Sequence, residues 1–427
     1  MKELLLKADD VSRRQFINSA AQTLLGVTVW GHAQGLQGQE APASSGPSAK
    51  SCIYLYMSGG MTHLDTFDPK PGTDQGGPIG AIRTKADDVF LSEFFPRLAY
   101  RMDNVALVRS LKTNQGAHEQ GNYYMHTSYA PRNTIRHPAL GPWMTMLSGR
   151  YNRTLPGSVI IGGGRSSGAG FFPPQHMPLL LGNAREGLKN SKRPGDVTEK
   201  EFDRRLRLAE AVDKEFVTSY NQKKVNAYSD MYRDAVKLMT SEDLKAFDIN
   251  QEPTDVREAY GDNGFGQGVL LARRLVENNV RFVEVQLGGW DNHTNIFTSV
   301  ADRGATVDRA LSALIGDLQQ RGLLDETLIV LATEFGRTPR INQNEGRDHY
   351  PRAFSGLIAG GGIKGGQAYG KTDESGSRVT ENPVLVPDFN ATIATALGLP
   401  VGHTLYSPSG RPFKVANNGE PVMDILA

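Results

Sequence analysis

The sequence predicts an α/β fold, a mainly parallel central sheet sandwiched by helices, with a helical insertion. Two features carry that expectation. Short, almost wholly apolar runs recur along the chain, at Cys52–Met57, Val105–Val108, Val159–Ile161, Phe282–Leu287, Leu328–Leu331 and Phe354–Ile358. A strand buried on both faces has no polar side to show, so its sequence reads as such a run. Helical patterning fills the intervals, and Asp302–Gln320 gathers Ala310, Leu311, Leu314, Ile315 and Leu318 on one face. Strands alternating with helices build a sheet covered on both sides. From about 197 to 262 the chain is highly charged and helical without a strand signal, which predicts the insertion packed beside the sheet. The main domain is expected over 51–427.

The N-terminus predicts export. Ser12-Arg13-Arg14-Gln15-Phe16-Ile17 carries paired arginines followed one residue later by a large apolar side chain. The stretch Phe16–Trp30 is interrupted by Asn18, Ser19, Gln22 and Thr23. It is too short and too polar to be a stable transmembrane anchor, which needs about 20 apolar residues. Residues 1–33 therefore read as a twin-arginine signal peptide, and Gly31-His32-Ala33 or Ala41-Pro42-Ala43 offers small residues for cleavage. The competing reading is an ordinary amphipathic helix with two chance arginines. A flexible linker rich in Gln, Gly, Pro, Ala and Ser follows over 34–50. The expected partner in export is the twin-arginine translocase, and the expected destination is the periplasm or the medium.

Composition narrows the function. A formal net charge of +1 over 427 residues argues against a dedicated nucleic-acid binder, which shows a marked basic excess. The single cysteine, Cys52, excludes an intramolecular disulfide. Ligands of open α/β sheets bind beyond the carboxyl ends of the strands, and the loops there are unusual. The first runs Ser58-Gly59-Gly60-Met61-Thr62-His63-Leu64-Asp65-Thr66-Phe67-Asp68. Another holds His118 and His126, a third Gly289-Trp290-Asp291-Asn292-His293, a fourth Thr333-Glu334-Phe335-Gly336-Arg337 and then Gly346-Arg347-Asp348-His349. Five of the nine histidines fall in these loops, each beside an acid, amide or hydroxyl. Carboxylates and imidazoles converging at one sheet edge suit a divalent ion: zinc, manganese or calcium. Asp291 and His293, two apart, share a face in extended backbone. The plainer readings are that Asp65 and Asp68 cap turns, that Arg337 pairs with Glu334 or Asp348, and that His126 is a satisfied core histidine. His137, His176 and His403 have no supporting cluster.

The segment Asp325–Gly336 resembles the late strand of the alkaline phosphatase/sulfatase superfamily, and Pro387–Ile393 with Leu397-Gly398-Leu399 resembles its closing helix. More narrowly, Gly59-Gly60 with His63–Lys70, Gly289–His293, Glu334–Pro339 and Gly346–His349 resemble exported bacterial proteins classed as domain of unknown function 1501. The likeness covers roughly residues 50 to 400. It implies that Asp291, His293 and His349 are the three ligands of one ion. At a second ion site it puts Gly60 where an aspartate is expected and Glu334-Phe335 in place of an Asp-His pair. Glu334 would remain a ligand there, with Asp65 or His63 as substitutes. The position of the nucleophile falls near His118, which is then nucleophile, general base or metal ligand. Cys52 lacks the context of a sulfatase cysteine.

The expected function is an exported metal-dependent hydrolase of a phosphate or sulfate ester, on a carbohydrate among other carriers. His118 would be its base or nucleophile, and Arg337 would grip the anionic group. The alternative is a non-catalytic descendant that binds a polysaccharide or a partner protein. Gly360-Gly361-Gly362 lacks the spacing of a nucleotide-binding loop.

Overall fold

The structure is a computed structural model that describes residues 49–163, 167–188, 191, 195–219 and 233–427. The expected signal and most of the expected linker lie outside those residues. Nine strands form the main sheet. They are β1 (Ser51–Met57), β2 (Val105–Lys112), β3 (Ser158–Ile161), β4 (Leu179–Leu181), β5 (Phe282–Leu287), β6 (Thr327–Ala332), β7 (Phe354–Gly360), β8 (Gln367–Tyr369) and β9 (Val384–Leu385). Their order is β8-β2-β7-β6-β1-β5-β3-β4, with β9 added to β2. Every pairing is parallel except the two made by β7. The mixed α/β sheet is thus mainly parallel, as the apolar runs predict. All six runs are strands. The three further strands, β4, β8 and β9, are two or three residues long, too short to leave a pattern.

The six main helices are α1 (His118–Thr127), α2 (Leu140–Ser148), α3 (Glu199–Ser219), α4 (Gly264–Glu277), α5 (Ile296–Gln320) and α6 (Val386–Ala396). Strand β1 shows how the layers form. Its residues are buried throughout, and alternate side chains enter opposite cores. Ile53, Leu55 and Met57 join the core under α4 and α5. Cys52, Tyr54 and Tyr56 join a second core with Trp143 of α2 and Phe389 and Ile393 of α6. Register holds Ile53 between Val283 of β5 and Ile329 of β6.

Helix α5 starts earlier than the sequence pattern suggested, at Ile296, because Ile296 and Val300 are also buried. Its first residue follows Asn295, whose φ of 47° is left-handed, a conformation asparagine tolerates. The described part of 197–262 is largely helical: α3, a helical stretch over 233–239, two tight turns at Glu242–Phe247, one at Ile249–Gln251, and a short helix at Thr254–Ala259. Among the described residues no helix is long and apolar enough to cross a membrane.

Charge pins the later part of this region to α4. Arg273 has a fully buried side chain and reaches Glu252 at 2.7 Å, Glu277 at 2.7 Å and Asp317 at 2.9 Å. Glu252 also pairs with Arg274. Burial would raise the Glu252 carboxyl, but the two arginines outweigh that and hold it below its usual range. Removing one member of a buried ion network leaves its partners uncompensated. Arg273→Met should therefore cost about 3 kcal/mol, the low end for such breaks, since Arg274 and Arg321 still face Glu252. Chemical denaturation read by circular dichroism measures it.

Candidate metal centre

The carboxyl ends of β1, β2, β5 and β6 share one edge because these strands run the same way. Strand β7 runs oppositely, so the chain from Arg337 to Phe354 also lies at that edge. Two close approaches draw the loops together. Gly59, at φ 118°, lies against the loop after β5, where an added Cβ would sit 2.5 Å from the Asp291 nitrogen. At Gly346 a Cβ would meet the His293 carbonyl oxygen at 1.9 Å. A short antiparallel ribbon, Gly336–Arg337 with His349–Tyr350, sets His349 opposite Arg337.

Three imidazoles surround the Asp291 carboxylate. His118 Nε2 lies 3.2 Å from Oδ2, while His293 Nε2 lies 3.0 Å and His349 Nε2 3.4 Å from Oδ1. Each ring is tied back through its other nitrogen. His118 Nδ1 is 2.9 Å from Glu334, His293 Nδ1 is 2.8 Å from Asp348, and His349 Nδ1 is 2.9 Å from the Gly116 carbonyl. A carbonyl or carboxylate oxygen only accepts, so each Nδ1 donates and a neutral ring keeps a lone pair on Nε2. Two such lone pairs, on His293 and His349, face each other at 3.2 Å. Arg337 Nη1, 3.4 Å from His293 Nε2, offers that nitrogen a donor.

The donor set fits a divalent ion. Ligand atoms of His118, Asp291 and His349 all lie within 4.8 Å of one another. His118 Nε2 is buried and, though 3.2 Å from Asp291 Oδ2, makes no well-formed hydrogen bond. Imidazole nitrogens beside one carboxylate suit zinc better than calcium or manganese, which favour oxygen ligands. Electrostatics prepare the same groups. Burial would raise the Asp291 carboxyl, but Arg337, His118 and His349 more than reverse this and hold it well below the usual range. Glu334's hydrogen bond raises the His118 pKa despite burial, whereas burial and nearby Arg337 and His118 lower that of His349.

Of the expected ligands, Asp291, His293 and His349 are brought together, and His118 joins them. The others are engaged elsewhere. Asp65 and Arg347 form a fully buried pair through both carboxylate oxygens, at 2.8 and 2.9 Å, so Asp65 faces a fixed guanidinium and not a site for an ion. His63 is buried with Nε2 on the Gly376 carbonyl at 2.8 Å. Glu334 stands behind His118, its side chain 1% exposed. Arg337 does not present its fork to solvent, as a clamp on a substrate anion would require. Its side chain is fully buried and donates to the carbonyls of Gly59, Gly60 and Arg347 and, at 2.6 Å, to Asp291. Its acidic partner is thus neither Glu334 nor Asp348.

Asp348 and Tyr56 also serve the site, through His293 and Glu334. Asp348 adjoins His349 in the Gly-Arg-Asp-His stretch, a cue for a carboxylate anchoring a histidine. Tyr56 carried no cue, being one more member of an apolar run, yet its hydroxyl donates to Glu334 Oε2 at 3.1 Å. The Gly116 carbonyl, being backbone, has no signature in sequence at all.

His126 lies apart, buried beside Glu284 at 3.1 Å, with Nδ1 on the Asn122 carbonyl. Burial alone would lower its pKa, but Glu284 outweighs that and raises it. The protonated form is therefore favoured on folding. Its contribution is complete below the unfolded value of about 6.5 and is lost as pH rises through the higher folded value. Thermal midpoints of the protein should fall across that window, and His126→Gln should flatten the fall. For the Asp65–Arg347 pair, Asp65→Asn should cost about 3–5 kcal/mol in denaturant titrations and leave bound divalent metal, measured by elemental analysis, unchanged.

Comparison with solved structures gives distant likenesses. A sulfatase from Pseudoalteromonas sp. is 11% identical over 88% of this chain and 73% of its own, with a TM-score of 0.42. A protein of the alkaline phosphatase superfamily from Vibrio parahaemolyticus is 11% identical over 90% and 72%, with a TM-score of 0.39. A phosphonate monoester hydrolase from Silicibacter pomeroyi is 11% identical over 88% and 76%, with a TM-score of 0.38. No curated protein matches the sequence. Residues 49–426, by contrast, match one family from end to end, and the chain belongs to it: the family described as protein of unknown function, DUF1501.

Proposed function

We propose that this protein is a metal-dependent hydrolase of a phosphate or sulfate ester, exported through the twin-arginine translocase. The observation that carries the reading is the convergence of three Nε2 atoms on Asp291, each ring anchored through Nδ1. Asp291, His349 and His118 would hold the ion, with His293 beside them. A divalent ion bound there polarises an ester oxygen and lowers the pKa of water towards neutrality.

The chain's own groups supply the rest. Asp291 is half exposed, its side chain 48% accessible, so the cluster opens to solvent and to a bulky carrier such as a carbohydrate. Helix α1 begins at His118, after Ala117, whose side chain cannot cap it. The helix dipole favours an anionic group beside the cluster. Glu334 keeps the His118 Nε2 lone pair turned towards Asp291, available to an ion or to a proton from water.

A second reading, a non-catalytic protein that binds a polysaccharide or a partner, is favoured by one specific observation. Among the described residues, the groups that reach the Asp291 carboxylate are three imidazoles and a guanidinium, none of them a hydroxyl or thiol. Burial pushes the Cys52 thiol far up, and Thr127 donates to the Tyr123 carbonyl.

The test is a panel of phosphate and sulfate esters, assayed before and after chelation and again with zinc, manganese or calcium. The expected result is turnover of one ester class, lost with the metal and regained on its return. His349→Ala should lower kcat/KM about 100-fold or more, since a metal supplies several kcal/mol of transition-state stabilisation. Metal binding without turnover of any ester would favour the binding protein.

A further inference from the structure

We propose that Glu334 is a positioning residue of the cation site, acting through His118, and is not one of the ligands. This rests on the reading of a cation site at Asp291 and asks how one of its imidazoles is held. Glu334 lies two residues beyond the end of β6 and its side chain is 1% exposed. Oε1 accepts from the Gly59 N–H at 2.8 Å and from His118 Nδ1 at 2.9 Å. Oε2 accepts from the Tyr56 hydroxyl at 3.1 Å. The carboxylate is therefore fixed from β1 on one side and meets the imidazole on the other.

His118 needs such an anchor. It is the first residue of α1, its side chain is 36% exposed, and its ring lies against Phe335 and edge-on to His349, at 5.0 and 4.3 Å between centroids. Those apolar and edge contacts do not distinguish one ring face or nitrogen from the other. The bond to Glu334 does. It selects the tautomer with hydrogen on Nδ1 and turns Nε2 to within 3.2 Å of Asp291 Oδ2. A carboxylate behind a ligating histidine orients the ring and raises its basicity, and losing it costs about 10–100-fold in metal affinity. Asp348 stands in the same relation to His293, at 2.8 Å, but is exposed. Glu334 is the one locked into the sheet.

Cobalt(II) titration, read by visible absorption and by affinity, separates the roles. Glu334→Gln keeps a carbonyl oxygen for Gly59 and His118, and its amide faces the Tyr56 hydroxyl, which accepts. A positioning role predicts a spectrum like the wild type and affinity within a few-fold. Glu334→Ala, or Glu334→Asp should the alanine variant not fold, withdraws the acceptor. Either should lower affinity about 10–100-fold with the same limiting spectrum. In a His118→Ala background the same substitutions should add little, since the effect passes through that ring.

A changed spectrum in Glu334→Gln would make Glu334 a ligand and overturn the proposal. So would equal affinities across the series, or full additivity with His118→Ala. Failure of the wild type to bind cobalt would remove the cation site itself, and this inference with it.

Discussion

The site is organised around one buried guanidinium. Arg337 lies beneath the cluster and donates to the carbonyls of Gly59 and Gly60 from the loop after β1, to Asp291 from the loop after β5, and to the Arg347 carbonyl from the stretch leading to β7. Few side chains can bridge so many acceptors at once. The planar group has five donors in a rigid arrangement and stays charged when buried. Three loops that would otherwise splay are held at one point, and the carboxylate they share is kept ionised. The first two glycines of this system cannot be replaced cheaply, because Gly59 sits at the backbone of Trp290 and Asp291 and Gly60 lies on the ring of Phe335.

Around that point the charges sort themselves by depth. Asp65 and Arg347 neutralise each other in full burial. Glu334, nearly as deep, meets no guanidinium but a backbone N–H, a phenol, the Thr333 hydroxyl and an imidazole. Asp291 and Asp348 are nearer solvent, at 48% and 59% side-chain exposure, and face the histidines. A cation arriving from solvent thus meets an ionised carboxylate and lone pairs first. The positive charge of Arg337 is already in place behind them, which limits how much further positive charge the centre can take.

Much of this was legible in the residues. The strands announced themselves because a sheet covered on both faces has no polar side, and loops such as Gly-Trp-Asp-Asn-His are too rich in donors to be ordinary turns. Pairing was not legible. Arg347 and Asp65 are 282 positions apart, and nothing local distinguishes that aspartate from Asp291, which keeps its access to solvent. Glu334 likewise reads as a ligand until its neighbours show that both oxygens are directed inward. What a carboxylate does here depends on its depth and on how many of its oxygens are taken. Asp65 is buried and held through both, whereas Asp291 is half exposed and gives only Oδ1 to Arg337, a difference set by the assembled sheet. The same holds for Tyr56, whose ring is core and whose hydroxyl belongs to the site.

Strand β1 therefore carries two duties with one alternation. Its odd-numbered side chains fill one core, and its even-numbered ones fill the other and end in the phenol that holds Glu334. Deleting a single residue from Ser51–Met57 would swap the two sets, emptying both cores and withdrawing the phenol in one event. Variation that alters chemistry in such a protein has to enter through the connecting segments, while the central strand tolerates almost none.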